Sequence, residues 1–83
     1  MGVKERRERE KQQVRQEILD AARELFIKEG YENVSMRKIA EKIEYSPTTI
    51  YLYFDDKAEL VHYLCEEAFV KLMDMFETIG GDL

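Results

Sequence analysis

Apolar residues recur at three- and four-residue steps along most of this chain, and that pattern alone excludes most folds. They run Val14, Ile18, Ala21, Ala22, Leu25 and Phe26, then Met36, Ile39, Ala40 and Ile43, then Ile50 and Phe54. A last and longest set holds Leu60, Val61, Leu64, Cys65, Ala68, Phe69, Leu72, Met73, Phe76 and Ile79. A helix advances about 100° per residue, so each set gathers on one helical face. The period-two alternation of β-branched residues that marks strands does not occur. Four Gly and one Pro are also too few to punctuate a sandwich or barrel. The expected fold class is all-α, and 83 residues provide for one small core rather than two.

Local signals divide the chain into four helices. The first is expected from about residue 7 to residue 29, with Lys28 complementing the dipole of its last turn and Gly30 free to take the left-handed closing conformation. Residues 31–34 connect it to a second helix that Ser35 caps. Ser46 caps a third, in which Pro47 stands at the first position, where no amide is needed, and which ends near Phe54. Asp56 with Glu59 three residues on forms a capping box for the fourth, which Gly80 and Gly81 end. That fourth stripe is wider than three short helices can cover. From about Phe69 onward something else is expected to cover it. Cys65, the single cysteine, falls within the stripe and is expected to be a buried thiol, as suits a reducing cytoplasm.

Charge bears on what such a bundle can bind. The net charge of −5 opposes nucleic-acid binding, which normally leaves a basic footprint. Its distribution is uneven: residues 1–15 carry Lys4, Arg6, Arg7, Arg9, Lys11 and Arg15 against Glu5, Glu8 and Glu10, a net of +3, and the rest of the chain is −8. Residues 1–14 therefore form a mixed-charge, net basic arm, which reads either as a solvated helix or as a segment lying beside DNA. No run approaches the roughly eighteen apolar residues of a membrane span, and the charged start has no signal-like apolar core. A soluble, cytoplasmic protein without a membrane partner is expected.

The second and third helices are joined by Glu44, Tyr45 and Ser46, a connection short enough for two helices to cross steeply as a helix-turn-helix. In that motif the second helix directs its first residues at base edges, here Pro47, Thr48 and Thr49. The run Ser35-Met36-Arg37-Lys38-Ile39-Ala40-Glu41-Lys42-Ile43, then Tyr45-Ser46-Pro47-Thr48-Thr49-Ile50-Tyr51-Leu52-Tyr53-Phe54, then Lys57 and Leu60, resembles the signature of the TetR family of transcriptional regulators. The likeness extends upstream to Ile18-Leu19-Asp20-Ala21-Ala22-Arg23-Glu24-Leu25-Phe26 and to Gly30-Tyr31, and so covers roughly residues 15–64. Glu44 departs from it, because the family often has Gly at that turn.

The resemblance implies a three-helix DNA-binding head over residues 15–64. Residues 65–83 would then complete a longer fourth helix leading into a ligand-binding and dimerisation domain absent from this chain. It further implies a cytoplasmic prokaryotic repressor, acting as a homodimer on a palindromic operator in double-stranded DNA and released by a small-molecule effector. By position, Arg37, Pro47, Thr48 and Thr49 match base-contacting sites, while Ser35, Tyr51, Tyr53 and Lys57 match phosphate-contacting ones. The chemistry agrees with these roles. Arg37 can bond guanine bidentately or pair with a phosphate, and a Thr methyl can pack on a thymine methyl. A phenol can lie along the duplex edge and bond a phosphate oxygen. Lys57 opposes the dipole at the start of its helix and so needs another reason to be there. The third helix carries none of Asn, Gln or Arg, which leaves specificity to Arg37, methyl contacts and DNA shape.

Rival readings have thinner support. His62 and Cys65 beside Glu66 could share a metal, but further ligands are not visible, and a half-buried His beside a packed Cys explains them. No Gly-rich phosphate loop occurs, so neither catalysis nor a cofactor is expected. A protein-interaction module built on the fourth helix is the alternative class, with the helix-turn-helix as a scaffold. A basic first helix lying on anionic membrane is disfavoured by its glutamates.

Overall fold

The computed structural model describes residues 2–80, which form four α-helices and one 3-10 turn: α1 (Val3–Glu29), the turn Tyr31–Asn33, α2 (Met36–Lys42), α3 (Pro47–Tyr53) and α4 (Lys57–Gly80). The expected boundaries hold closely, except that α1 starts four residues before its apolar pattern suggests. Its first turns are all exposed, so packing does not form them. After Val3 they consist of Lys, Arg, Glu and Gln, good helix formers, with Arg6 and Glu10 paired at 3.9 Å one turn apart. Gly80 is the last residue of α4. Gly81 and the side chain of Ile79 lie outside what is described, as do the extreme ends of the segments 1–14 and 65–83.

Caps fix where each element stops. Gly30 takes φ 88° and donates its amide to Phe26 O at 3.0 Å, closing α1. Asn33 reaches back from the 3-10 turn and bonds the carbonyl of Glu29 at 2.8 Å. Ser35 Oγ accepts from the Lys38 amide at 3.0 Å, and Ser46 Oγ from the Thr49 amide at 3.3 Å, so both expected serine caps form. At α4, Asp56 Oδ1 accepts from Glu59 N at 2.9 Å, while the Glu59 carboxylate accepts from the amide of Asp55 rather than of Asp56, also at 2.9 Å. The box is reciprocal, shifted by one residue.

The core lies where the four helices converge. Ile18, Leu19, Ala21, Ala22 and Leu25 of α1 meet Val34, then Met36, Ile39 and Ala40 of α2, Ile50 of α3, Phe54 and Leu60 of α4. Alanines at 21, 22 and 40 let α1 and α2 approach closely. Bulk comes from Ile18, Leu19, Ile39, Ile50 and Phe54, all fully buried. Burying one such side chain stabilises by roughly 1.5–3 kcal/mol, so this small set carries much of the fold. Arg15 adds a polar seam, its guanidinium 4.5 Å from the ring centre of Tyr63 and 5.3 Å from that of Phe54.

Cys65 corrects one expectation, because it is exposed rather than buried. The sequence stripe is genuine, but α1 and the helix-turn-helix pack on the side of α4 that carries Leu60, Tyr63, Leu64 and Glu67, the last paired with Arg23 at 3.6 Å, and Cys65 lies off that side. Beyond it Ala68 is exposed, and so are Phe69, Leu72, Met73 and Phe76. The bare face therefore begins a turn earlier than Phe69.

Glu44 sits at φ 62°, the one positive φ outside glycine among the described residues. It occupies the position after the α2 cap in a double closure, in which its own amide bonds Glu41 O at 3.3 Å and that of Tyr45 bonds Ala40 O at 2.9 Å. A left-handed L-residue is strained by about 1–2 kcal/mol, partly offset because Gly has more unfolded-state freedom to lose. Glu44→Gly should therefore raise stability by about 0.5–1 kcal/mol. The check is a higher urea midpoint at unchanged slope, and a lower midpoint would show that the glutamate side chain stabilises the turn.

Candidate nucleic-acid interface

The helix-turn-helix is held to α1 by polar contacts at its rim. Lys38 pairs with Glu29, Lys42 with Glu24 at 3.4 Å, and the Tyr45 hydroxyl donates to Glu17 at 2.9 Å. That last hydrogen bond, to a carboxylate, raises the phenol of Tyr45 above its ordinary pKa. These contacts come from charged and aromatic residues whose partners lie up to 28 positions away in sequence, which no periodicity reveals.

With Lys38 and Lys42 each paired to a carboxylate of α1, Arg37 is the cation of α2 without such a partner among the described residues. It is exposed, and its guanidinium takes part in no ion pair or hydrogen bond among the described residues. Thr48 is exposed as well, while Pro47 and Thr49 are half-buried at the start of α3. Thr49 is also engaged, its hydroxyl lying 3.0 Å from Ser46 Oγ within the cap. Of the two threonines, Thr48 is thus the one whose side chain has no local task.

The phosphate-site candidates divide similarly. Ser35, Tyr51 and Lys57 line a single shallow depression, with Tyr31 and Asp56 beside them. Tyr51 is 52% exposed, whereas Tyr53 is half-buried against the core and lies apart from the depression. Lys57 has the further reason its position demanded: its Nζ donates to the carbonyl of Tyr31 at 2.8 Å and stands 4.3 Å from the centre of that ring. A phosphate would have to share this ammonium with Tyr31. Ser35 is likewise shared with the α2 cap.

Two features escaped the sequence reading. Leu52, between the two tyrosines, is 78% exposed, and projecting α3 around its own axis would have shown it facing away from Ile50 and Phe54. The contact of Arg15 with Phe54 and Tyr63 depends on the tertiary fold and has no sequence signal. His62 Nε2 and Glu66 Oε1 lie 3.3 Å apart one turn along α4 with both side chains exposed, so the expected half-buried His beside a packed Cys is not found. No group of three or more His, Cys, Asp or Glu side chains among the described residues is arranged to hold a metal ion, and no helix among them is long and apolar enough to cross a membrane.

Comparison with known proteins gives one consistent answer. The model of the family described as bacterial regulatory proteins, tetR family, matches residues 18–64. The HTH-type transcriptional regulator SAB2452 of Staphylococcus aureus (strain bovine RF122 / ET3-1) is 35% identical over 68 residues, covering 82% of this chain and 37% of the relative. SAUSA300_2515 of Staphylococcus aureus (strain USA300), another HTH-type transcriptional regulator, matches to the same extent. The crystal structure of a TetR-family transcriptional regulator (HI0893) from Haemophilus influenzae RD superposes with a TM-score of 0.69 at 33% identity, over 81% of this chain and 37% of that one. The chain thus spans little more than a third of the length of these relatives. Over that span fold and sequence agree, and the chain belongs to the TetR family of bacterial regulatory proteins.

Proposed function

We propose that this chain is the operator-reading head of a transcriptional regulator that binds double-stranded DNA through α2 and α3. The observation that carries the proposal is the outer surface of the helix-turn-helix. There Arg37, Thr48 and Tyr51 are exposed and packed against nothing that the fold requires, while Ile39, Ala40 and Ile50 of the same helices are buried. Arg37, Pro47, Thr48 and Thr49 would face base edges, with Thr49 limited by its cap, and Ser35, Tyr51, Tyr53 and Lys57 would face phosphates. Of these last, Tyr51 is best placed and Tyr53 least. The regulator works as a cytoplasmic repressor, a homodimer on a palindromic operator, and a small-molecule effector bound in a domain beyond this stretch releases it. The bare apolar face of α4 supports such a domain, and the greater length of the relatives agrees with it.

The test is selection from a random duplex library with the chain joined to a neutral dimeric partner, which restores the effective concentration that one half-site lacks. Enrichment of an inverted repeat, bound more weakly as salt rises, is expected. Tyr51→Ala should weaken binding at every sequence alike, because a backbone contact carries no base information, and should hardly change the salt slope, because the phenol carries no charge. Failure to enrich any sequence, with Tyr51→Ala equal to the wild type, would remove the DNA reading and favour a protein-binding role for the α4 face.

A further inference from the structure

From the placement of Leu52 we infer that this residue is a specificity determinant which selects thymine at one position of the half-site through its 5-methyl group. The inference rests on the DNA reading proposed above. Ile50 and Phe54 define the inward side of α3, and Tyr53 is half-buried beside them. At about 100° per residue, Thr48 and Leu52 fall within about 40° of one another on the opposite side, so the two residues form the crest of the helix. Leu52 is 78% exposed and belongs neither to the buried core nor to the apolar residues packed against it.

The chemistry of the crest narrows what it can recognise. A leucine offers no donor or acceptor, so neither phosphates nor polar base edges reward it. In the major groove the four bases present one apolar group, the thymine methyl. Thr48 adds a second methyl one turn away, and no Asn, Gln or Arg in α3 competes for the base edges. The crest therefore reads an A·T pair by apolar contact. Isolated exposed leucines are common on protein surfaces. This one differs by standing at the centre of the surface that the DNA reading turns toward the groove.

The experiment uses the enriched duplex from the selection above, with each thymine of one half-site replaced in turn by deoxyuridine, which lacks only the methyl. Wild type is expected to lose about fourfold in affinity at one position, the factor for one buried methyl-sized group. Leu52→Ala should bind the thymine duplex more weakly and be insensitive to deoxyuridine at that position. Ile27→Ala, which removes an equally exposed side chain from α1 at 79% exposure, should keep the wild-type sensitivity. Helical circular dichroism of both variants confirms that they fold. The inference is overturned if no thymine position is sensitive, or if Leu52→Ala retains every sensitivity of the wild type, and the DNA reading then stands because the duplex still binds. If no duplex is enriched at all, both fall together.

Discussion

Phe54→Ala is expected to remove a large share of the stability of this fold and to lower its urea midpoint steeply. The side chain is 1% exposed at the junction of α3 and α4, edge-on to Tyr63 at 5.8 Å between ring centres and beneath the guanidinium of Arg15. Truncating a buried Phe costs about 3–5 kcal/mol, because the transfer energy is lost and the cavity relaxes only in part. A domain of this size has a total stability of roughly 5–10 kcal/mol, and its core is small. The loss also deprives Arg15 of one of its two aromatic partners. Far-ultraviolet circular dichroism through a urea titration measures the effect. Leu52→Ala, two residues earlier on an exposed face, should move the midpoint by less than about 0.5 kcal/mol equivalent. Equal effects at the two positions would mean that α3 does not pack as described.

Arg37→Ala carries the second large effect and decides between two roles for this residue. If the guanidinium bonds a guanine through its fork, affinity for the operator should fall by about 1–3 kcal/mol, preference at one base pair should relax, and the salt slope should hardly change. If instead it pairs with a phosphate, binding should weaken at all sequences and the slope should fall by about one. Arg37→Lys separates the two again, since lysine keeps the charge and loses the fork. Because Arg37 is exposed and without a partner among the described residues, its removal should not disturb folding. Unchanged affinity in the alanine variant would take α2 away from the DNA. We expect the base contact, since Lys38 and Lys42, which would otherwise share such work, are held by Glu29 and Glu24.

These results depend on features that differ in how plainly the sequence declares them. Helix identity, the serine caps, Pro47 at the start of α3 and the inward pair Ile50 and Phe54 follow from periodicity and backbone chemistry, which act over three or four residues. The requirement for a left-handed residue at the α2–α3 turn was likewise visible as a departure at Glu44. What was hidden is tertiary. Cys65 reads as core by period alone, but it lies off the side of α4 that packs on α1 and the helix-turn-helix and is exposed. Lys57 reads as a lysine awaiting a phosphate until the 3-10 turn brings the Tyr31 carbonyl and ring to it. Thr49 reads as equal to Thr48 until the cap claims its hydroxyl. In each case a side chain's availability depends on a neighbour that sequence spacing does not bring near.

The ion pairs that fasten α2 to α1 also bear on how the head would find its site. Lys38 and Lys42 each pair with a carboxylate of the same chain, so among the cations of the proposed DNA-facing surface Arg37 has no partner among the described residues and Lys57 is partly engaged, over an acidic body. Nonspecific adhesion to DNA grows with the number of phosphates neutralised, and here that number is small. If the proposed reading holds, such a head would dwell briefly on wrong sequences and leave them readily. Its search would then proceed by repeated encounters from solution rather than by long sliding, and residence at the right site would depend on fit.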